Sequence, residues 1–136
     1  MNIDKFKQDH LTILGNATEL RRLIQAGIAG NAEAIAKMIV SMSANIKMHL
    51  ASEDRVLYPG LTGSSNTTAA QMAKKFQAEM GAIAAAYGDF SRKWNIGSKV
   101  AAEPDEFRKA ADQILKALHE RIQREDRDLY PLAERV

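Results

Sequence analysis

An all-α, antiparallel up-down-up-down bundle of four helices is the fold this sequence predicts, on three observations. Apolar side chains recur near the 3.6-residue period over four stretches of roughly 23 to 28 residues, the mark of long amphipathic helices. The stretches are joined by short segments rich in Gly, Pro, Ser and Asn, and short connections favour antiparallel neighbours. The chain also repeats itself. HLASEDRVLYP, residues 49–59, returns as RIQREDRDLYP, residues 121–131, and FKQDHLTI from Phe6 returns more faintly as FQAEMGAI from Phe76. The repeat makes helices one and two a pseudo-symmetric mate of helices three and four.

The first helix is expected over residues 2 to 27, with its apolar stripe at Ile3, Phe6, Ile13, Leu14, Ala17 and Leu20, and His10 in the middle of that stripe. Gly27 and Gly30 punctuate its end, and Asn31 with Glu33 suits the N-cap and first turn of the next helix. That second helix is expected to run to Arg55, with Ile35, Met38, Met42, Ile46, His49, Glu53 and Val56 on one face. A histidine and a carboxylate four residues apart thus fall on a buried face. Pro59, Gly60 and Gly63 are expected to end it, and GLTGSSNTT is a loop by its turn chemistry. Asn66 or Thr67 can cap the third helix, whose stripe is Met72, Phe76, Met80, Ile83, Tyr87, Phe90 and Trp94. After NIGSKVAAE, Pro104 suits a first helical turn and Asp105 and Glu106 suit its positive end. The fourth stripe is Phe107, Ala111, Ile114, Leu118, Arg121 or Ile122, Glu125 and Leu129. There is no sustained period-two alternation to suggest strands.

With 136 residues, one domain spanning 1–136 is expected, long enough for a real core. Hydrophobic residues at 46% and charged residues at 26% fit a globular chain and exclude a disordered one. The absence of cysteine removes disulfides, thiolate metal sites and thiol catalysis together. A formal charge of +2 with scattered basic residues gives no footprint for nucleic acid or an anionic membrane. No run reaches the length of a membrane span and the first residues lack a signal-peptide core, so the cytoplasm is the expected location.

Chemistry concentrates where the two copies disagree. His10 is replaced by Met80 and His49 by Arg121, whereas Glu53 keeps its counterpart Glu125. A histidine and a carboxylate at i and i+4 lie about 6 Å apart and can clamp a cation. Adding His10 and Glu125 gives two imidazoles and two carboxylates, a set suited to Fe(II), Mn or Zn over Ca or Mg. Two buried glutamates without compensation would each cost several kcal/mol, which strengthens the reading.

With these residues in place, the chain resembles the hemerythrin-like family, the HHE cation-binding domains. HLASEDRVLYP is similar to that family's helix-two signature and REDRDLYP to its helix-four counterpart, and the resemblance covers nearly the whole chain. It implies a four-helix bundle with a non-haem diiron centre used for O₂ binding, O₂ or redox sensing, or iron handling. His10 matches the helix-one ligand, His49 the helix-two ligand, and Glu53 and Glu125 the bridging carboxylates. The family's helix-three and helix-four histidines fall at Met80 and Arg121, so the loss is concentrated on one of the two irons.

Two readings follow. In the first, one metal, non-haem iron with Zn or Mn as alternatives, is held by His10, His49, Glu53 and Glu125, with Arg121 in the second metal's place. Reversible O₂ binding as peroxide, which draws two electrons from the metals, is then not expected. In the second, no metal binds, and Arg121 with protonated His10 or His49 neutralises the two glutamates in a structural or regulatory bundle. An iron-dependent enzyme would need a substrate channel, which sequence does not reveal. A metal ion is the expected partner, with O₂ implied by the resemblance and a protein partner needed if the domain signals. His119 is expected to face solvent, Asp54 to be solvated or to reach the second metal position, and Tyr58 and Tyr130 to act as apolar staples at the helix ends.

Overall fold

The computed structural model describes residues 1–136 and is helical throughout, without a strand. Its four long helices are α1 (Asp4–Ala26), α2 (Ile28–Ser52), α4 (Thr67–Trp94) and α6 (Pro104–Arg124), with short helices α3 (Tyr58–Thr62), α5 (Gly97–Ala102) and α7 (Tyr130–Glu134). The four-helix bundle is thus as the periodicity predicts.

The α1–α2 corner turns on a single residue. Gly27 has φ +126°, a region closed to most side chains, and α2 begins at once at Ile28. Asn31 therefore lies inside α2 and not at its N-cap, as expected from sequence. Its amide instead donates to the Gly27 carbonyl at 2.8 Å, satisfying an acceptor that the corner leaves free. Asn66 does cap α4, its side chain accepting from the Ala69 N–H at 3.1 Å, and Pro104 opens α6. The segment 97–102, expected as loop, forms α5, which buries Val100 against the core. At Gly97 the backbone runs close to α2, and a Cβ would displace the Glu33 side chain.

The largest departure from expectation is at the two copies of the repeated motif. Pro59 does not end the chain's helical course. Residues Glu53–Leu57 and Glu125–Leu129 each form a π turn, in which Tyr58 N–H donates to the Glu53 carbonyl and Tyr130 N–H to the Glu125 carbonyl. Proline lacks an N–H and its ring crowds the carbonyl four residues back. In both copies it follows directly on the widened turn, which admits it, and the helix resumes as α3 and α7. The inserted residue shifts the buried face, so Val56, expected in the core, is half exposed at 51% while Leu57 is fully buried.

Two apolar cores result. Twenty residues, among them Leu20, Ile35, Ile39, Met42, Tyr87, Phe107 and Leu115, fill the end of the bundle near Gly27. Eleven, including Ile3, Phe6, Leu57, Leu61, Phe76, Leu129 and Ala133, fill the opposite end. The buried polar side chains His10, His49, Glu53, Arg121 and Glu125 belong to neither and form a polar layer between them.

Candidate metal centre

Each member of the polar layer is placed by helical register. His10 follows Phe6 and precedes Ile13 on the buried face of α1; His49 and Glu53 are successive turns of one face; Arg121 at the end of α6 and Glu125 at the start of the following π turn repeat that spacing. One ligand-capable atom from each of His10, His49, Glu53 and Glu125 lies within 4.8 Å of the others. All four residues are at most 2% exposed. His10 Nε2 is 3.8 Å from Glu125 Oε2, His49 Nε2 is 3.3 Å from Glu53 Oε1, and the two imidazole centroids are 4.7 Å apart.

The far nitrogens of both rings are fixed by carboxylates. His10 Nδ1 meets Asp126 Oδ1 at 2.8 Å, and His49 Nδ1 meets Asp9 Oδ2 at 3.1 Å. A carboxylate accepts only, so Nδ1 carries the proton in each ring and a neutral ring turns its Nε2 lone pair inward. The pairings cross, the α1 aspartate orienting the α2 histidine and the C-terminal aspartate orienting the α1 histidine. Sequence reasoning missed both partners. The available signal was that Asp9 and Asp126 each sit beside a candidate ligand in the chain.

The inward-facing atoms are short of hydrogen. Glu125 Oε1 and Oε2, Glu53 Oε1 and His49 Nε2 are all buried with no hydrogen-bond partner. Burial and the neighbouring Glu53 carboxylate push Glu125 well above the ordinary carboxylate range. Burial opposes charge on Glu53 too, but His49, Glu125 and Tyr130 outweigh it and hold its pKa down. Burial and His49 together lower His10, whereas for His49 the burial penalty is overcome by Glu53 and Asp9, which raise it. Without a cation, one carboxylate tends to a proton and one imidazole to a charge. Unpaired buried acceptors cost roughly 1–3 kcal/mol each, and a cation among them answers all four at once.

Arg121 meets the sequence expectation in part, lying beside Glu125 but pairing more closely elsewhere. Its terminal nitrogens donate to Glu79 Oε2 at 2.6 Å and to the Phe76 carbonyl, and its guanidinium lies 4.2 Å from the Phe76 ring centroid. Its Nε is 3.8 Å from Glu125 Oε1 and has no hydrogen-bond partner. The guanidinium thus hydrogen-bonds Glu79, which Arg124 also contacts at 3.0 Å, and meets Glu125 only through the longer ion pair at 3.8 Å. Met80, the counterpart of His10, is buried. Asp54 does not enter the layer; it is exposed and accepts from Gln77 at 3.1 Å. His119 is exposed on the rim of a cleft of about 400 Å³ between α1 and α6.

Tyr130 was expected as an apolar staple, yet its hydroxyl lies in the layer, 2.8 Å from Glu53 Oε2 and 3.0 Å from His10 Nε2. Five residues separate Glu125 from Tyr130, which on an α-helix would place them about 140° apart. The π turn adds one residue to that revolution and returns the tyrosine to the glutamate's face. The recurrent spacing of Glu, Tyr and Pro was the only sign of this in the sequence.

A family model described as the hemerythrin HHE cation binding domain matches residues 1–133. No curated protein and no solved structure matches the chain. No helix is long and apolar enough to cross a membrane.

Proposed function

The chain belongs to the hemerythrin HHE cation binding domain family, and on that premise we propose that it holds one non-haem iron between His10, His49, Glu53 and Glu125. The observation that carries this is the group of buried, partnerless acceptor atoms of His49, Glu53 and Glu125, with His10 Nε2 beside them, ligand-capable atoms of all four lying within 4.8 Å of one another. Imidazole nitrogen with carboxylate oxygen suits a borderline first-row ion better than Ca or Mg, with Zn and Mn as competitors. Bound iron supplies a redox couple and a Lewis-acid centre. The chain's own residues do the rest: Asp126 and Asp9 hold each imidazole in the tautomer that presents Nε2, and the two apolar cores exclude bulk water.

One iron and not two is the reading because Met80 and Arg121 stand where the second metal's imidazoles would be, and Arg121 is committed to Glu79. The role that fits is iron or redox sensing, or iron handling, in place of reversible O₂ carriage. A metal-free regulatory bundle draws less support, since Arg121 makes no hydrogen bond to either glutamate of the layer.

Metal content by mass spectrometry, on protein from iron-supplemented cells purified without a metal-affinity column, tests the proposal. About one iron per chain is expected in the wild type and almost none in His49→Ala or Glu53→Gln, because each removes a ligand. About two per chain would overturn the mononuclear reading, and none in a folded wild type would overturn metal binding.

A further inference from the structure

Tyr130 is fully buried, and its ring stacks on that of His10 at 5.0 Å between centroids and 16° between planes. Its hydroxyl faces two acceptors: Glu53 Oε2 at 2.8 Å and His10 Nε2 at 3.0 Å. His10 has already committed its proton on Nδ1 to Asp126, so a neutral ring offers only a lone pair at Nε2. One phenol proton cannot serve both partners. A cation in reach of the three atoms removes the conflict, because each of them has a lone pair to give.

We infer that Tyr130 is a fifth metal ligand, bound through its phenolate oxygen, and that the centre is built for a trivalent ion, Fe(III). This rests on the reading above that the His10, His49, Glu53 and Glu125 cluster holds the metal. On binding, the phenol O–H bond breaks, an O–metal bond forms, the proton leaves to solvent and no oxidation state changes. Two carboxylates and one phenolate then bring three negative charges to the metal, with neutral imidazoles as its other ligands. A trivalent ion balances the three ligand charges, and matched charge costs least in a dry interior. Three anionic oxygens and two imidazoles also suit Fe(III), a hard ion, better than a divalent one.

Tyr58, the counterpart of Tyr130 in the repeat, provides the control. Its hydroxyl is equally buried but has no hydrogen-bond partner, and the third tyrosine, Tyr87, donates to the Ile39 carbonyl at 2.8 Å in the other core. The experiment is absorption and resonance Raman spectroscopy on protein loaded with ferric iron, with iron content measured in the same samples. The expected result is a visible phenolate-to-iron charge-transfer band with enhanced phenolate ring modes. Both should persist in the double variant Tyr58→Phe, Tyr87→Phe, where Tyr130 is the only tyrosine, and vanish in Tyr130→Phe at retained iron. Stoichiometric iron without phenolate modes in the wild type, or their loss in the double variant, would overturn the ligand assignment and leave the metal site standing. Failure of the wild type to bind any iron would overturn both.

Discussion

The two halves of this molecule are one design executed with different partners. In the first, the α1 carboxylate Asp9 reaches across to His49 at 3.1 Å; in the second, its counterpart Glu79 reaches across to Arg121 at 2.6 Å. The geometry of a carboxylate orienting a buried nitrogen base is retained. Only the base has changed, from an imidazole whose inner nitrogen can bind a cation to a guanidinium that can only donate. The second half has no hole at this position: Arg121 fills the space, stacks on Phe76 and pairs with the carboxylate at the corresponding fold position. The proposed metal half and the ion-pair half fit one backbone pattern because in both an outer carboxylate meets a buried nitrogen.

The strongest way to break that comparison is to make the halves alike. Met80→His with Arg121→His restores imidazoles at both altered positions, and the expected outcome is a rise from about one to about two irons per chain, read by mass spectrometry. An unchanged count would show that the two halves differ in more than these side chains. Next in size is a contrast between the outer carboxylates. Glu79→Ala strands a buried guanidinium and is expected to cost about 3 kcal/mol in denaturant unfolding, with iron affinity unaltered. Asp9→Ala leaves a neutral imidazole free to turn and is expected to weaken iron binding about 10–100-fold in a chelator competition, with a smaller loss of stability. Similar effects of the two variants on both readouts would refute the division of labour. The smallest effect is expected from Tyr87→Phe, which removes one buried hydrogen bond in the apolar core shared by the halves. It should cost about 1 kcal/mol and leave metal content alone.

Sequence periodicity reported the long helices well because a stripe such as Ile35, Met42, Ile46 and His49 is a property of regular winding. It failed where winding changes. Val56 and Leu57 exchanged places, and Tyr130 moved from the helix end into the polar layer, because a π turn adds one residue that no α-periodic template contains. The convergence of His10, His49, Glu53 and Glu125 was legible since all four lie at or before the turn, still in α register. Asp9 and Asp126 were not, because which helix a flanking carboxylate reaches depends on how the helices cross. Arg121 was rightly placed inside and beside Glu125, but its closer partner Glu79 was not legible, as it lies on another helix and only partly out of solvent.

His10 makes its closest contacts with Asp126 and Tyr130, more than a hundred positions away along the chain. The core near Gly27 can begin from neighbours, α1 folding on α2 across a one-residue corner, whereas closing so long a loop is entropically costly and waits on the rest. On a ribosome, Glu125, Asp126 and Tyr130 are joined to the chain only after His10, His49 and Glu53. A chain made as far as Glu53 therefore carries three of the four candidate ligands, and the proposed centre is complete only once the turn Glu125–Leu129 has packed against them.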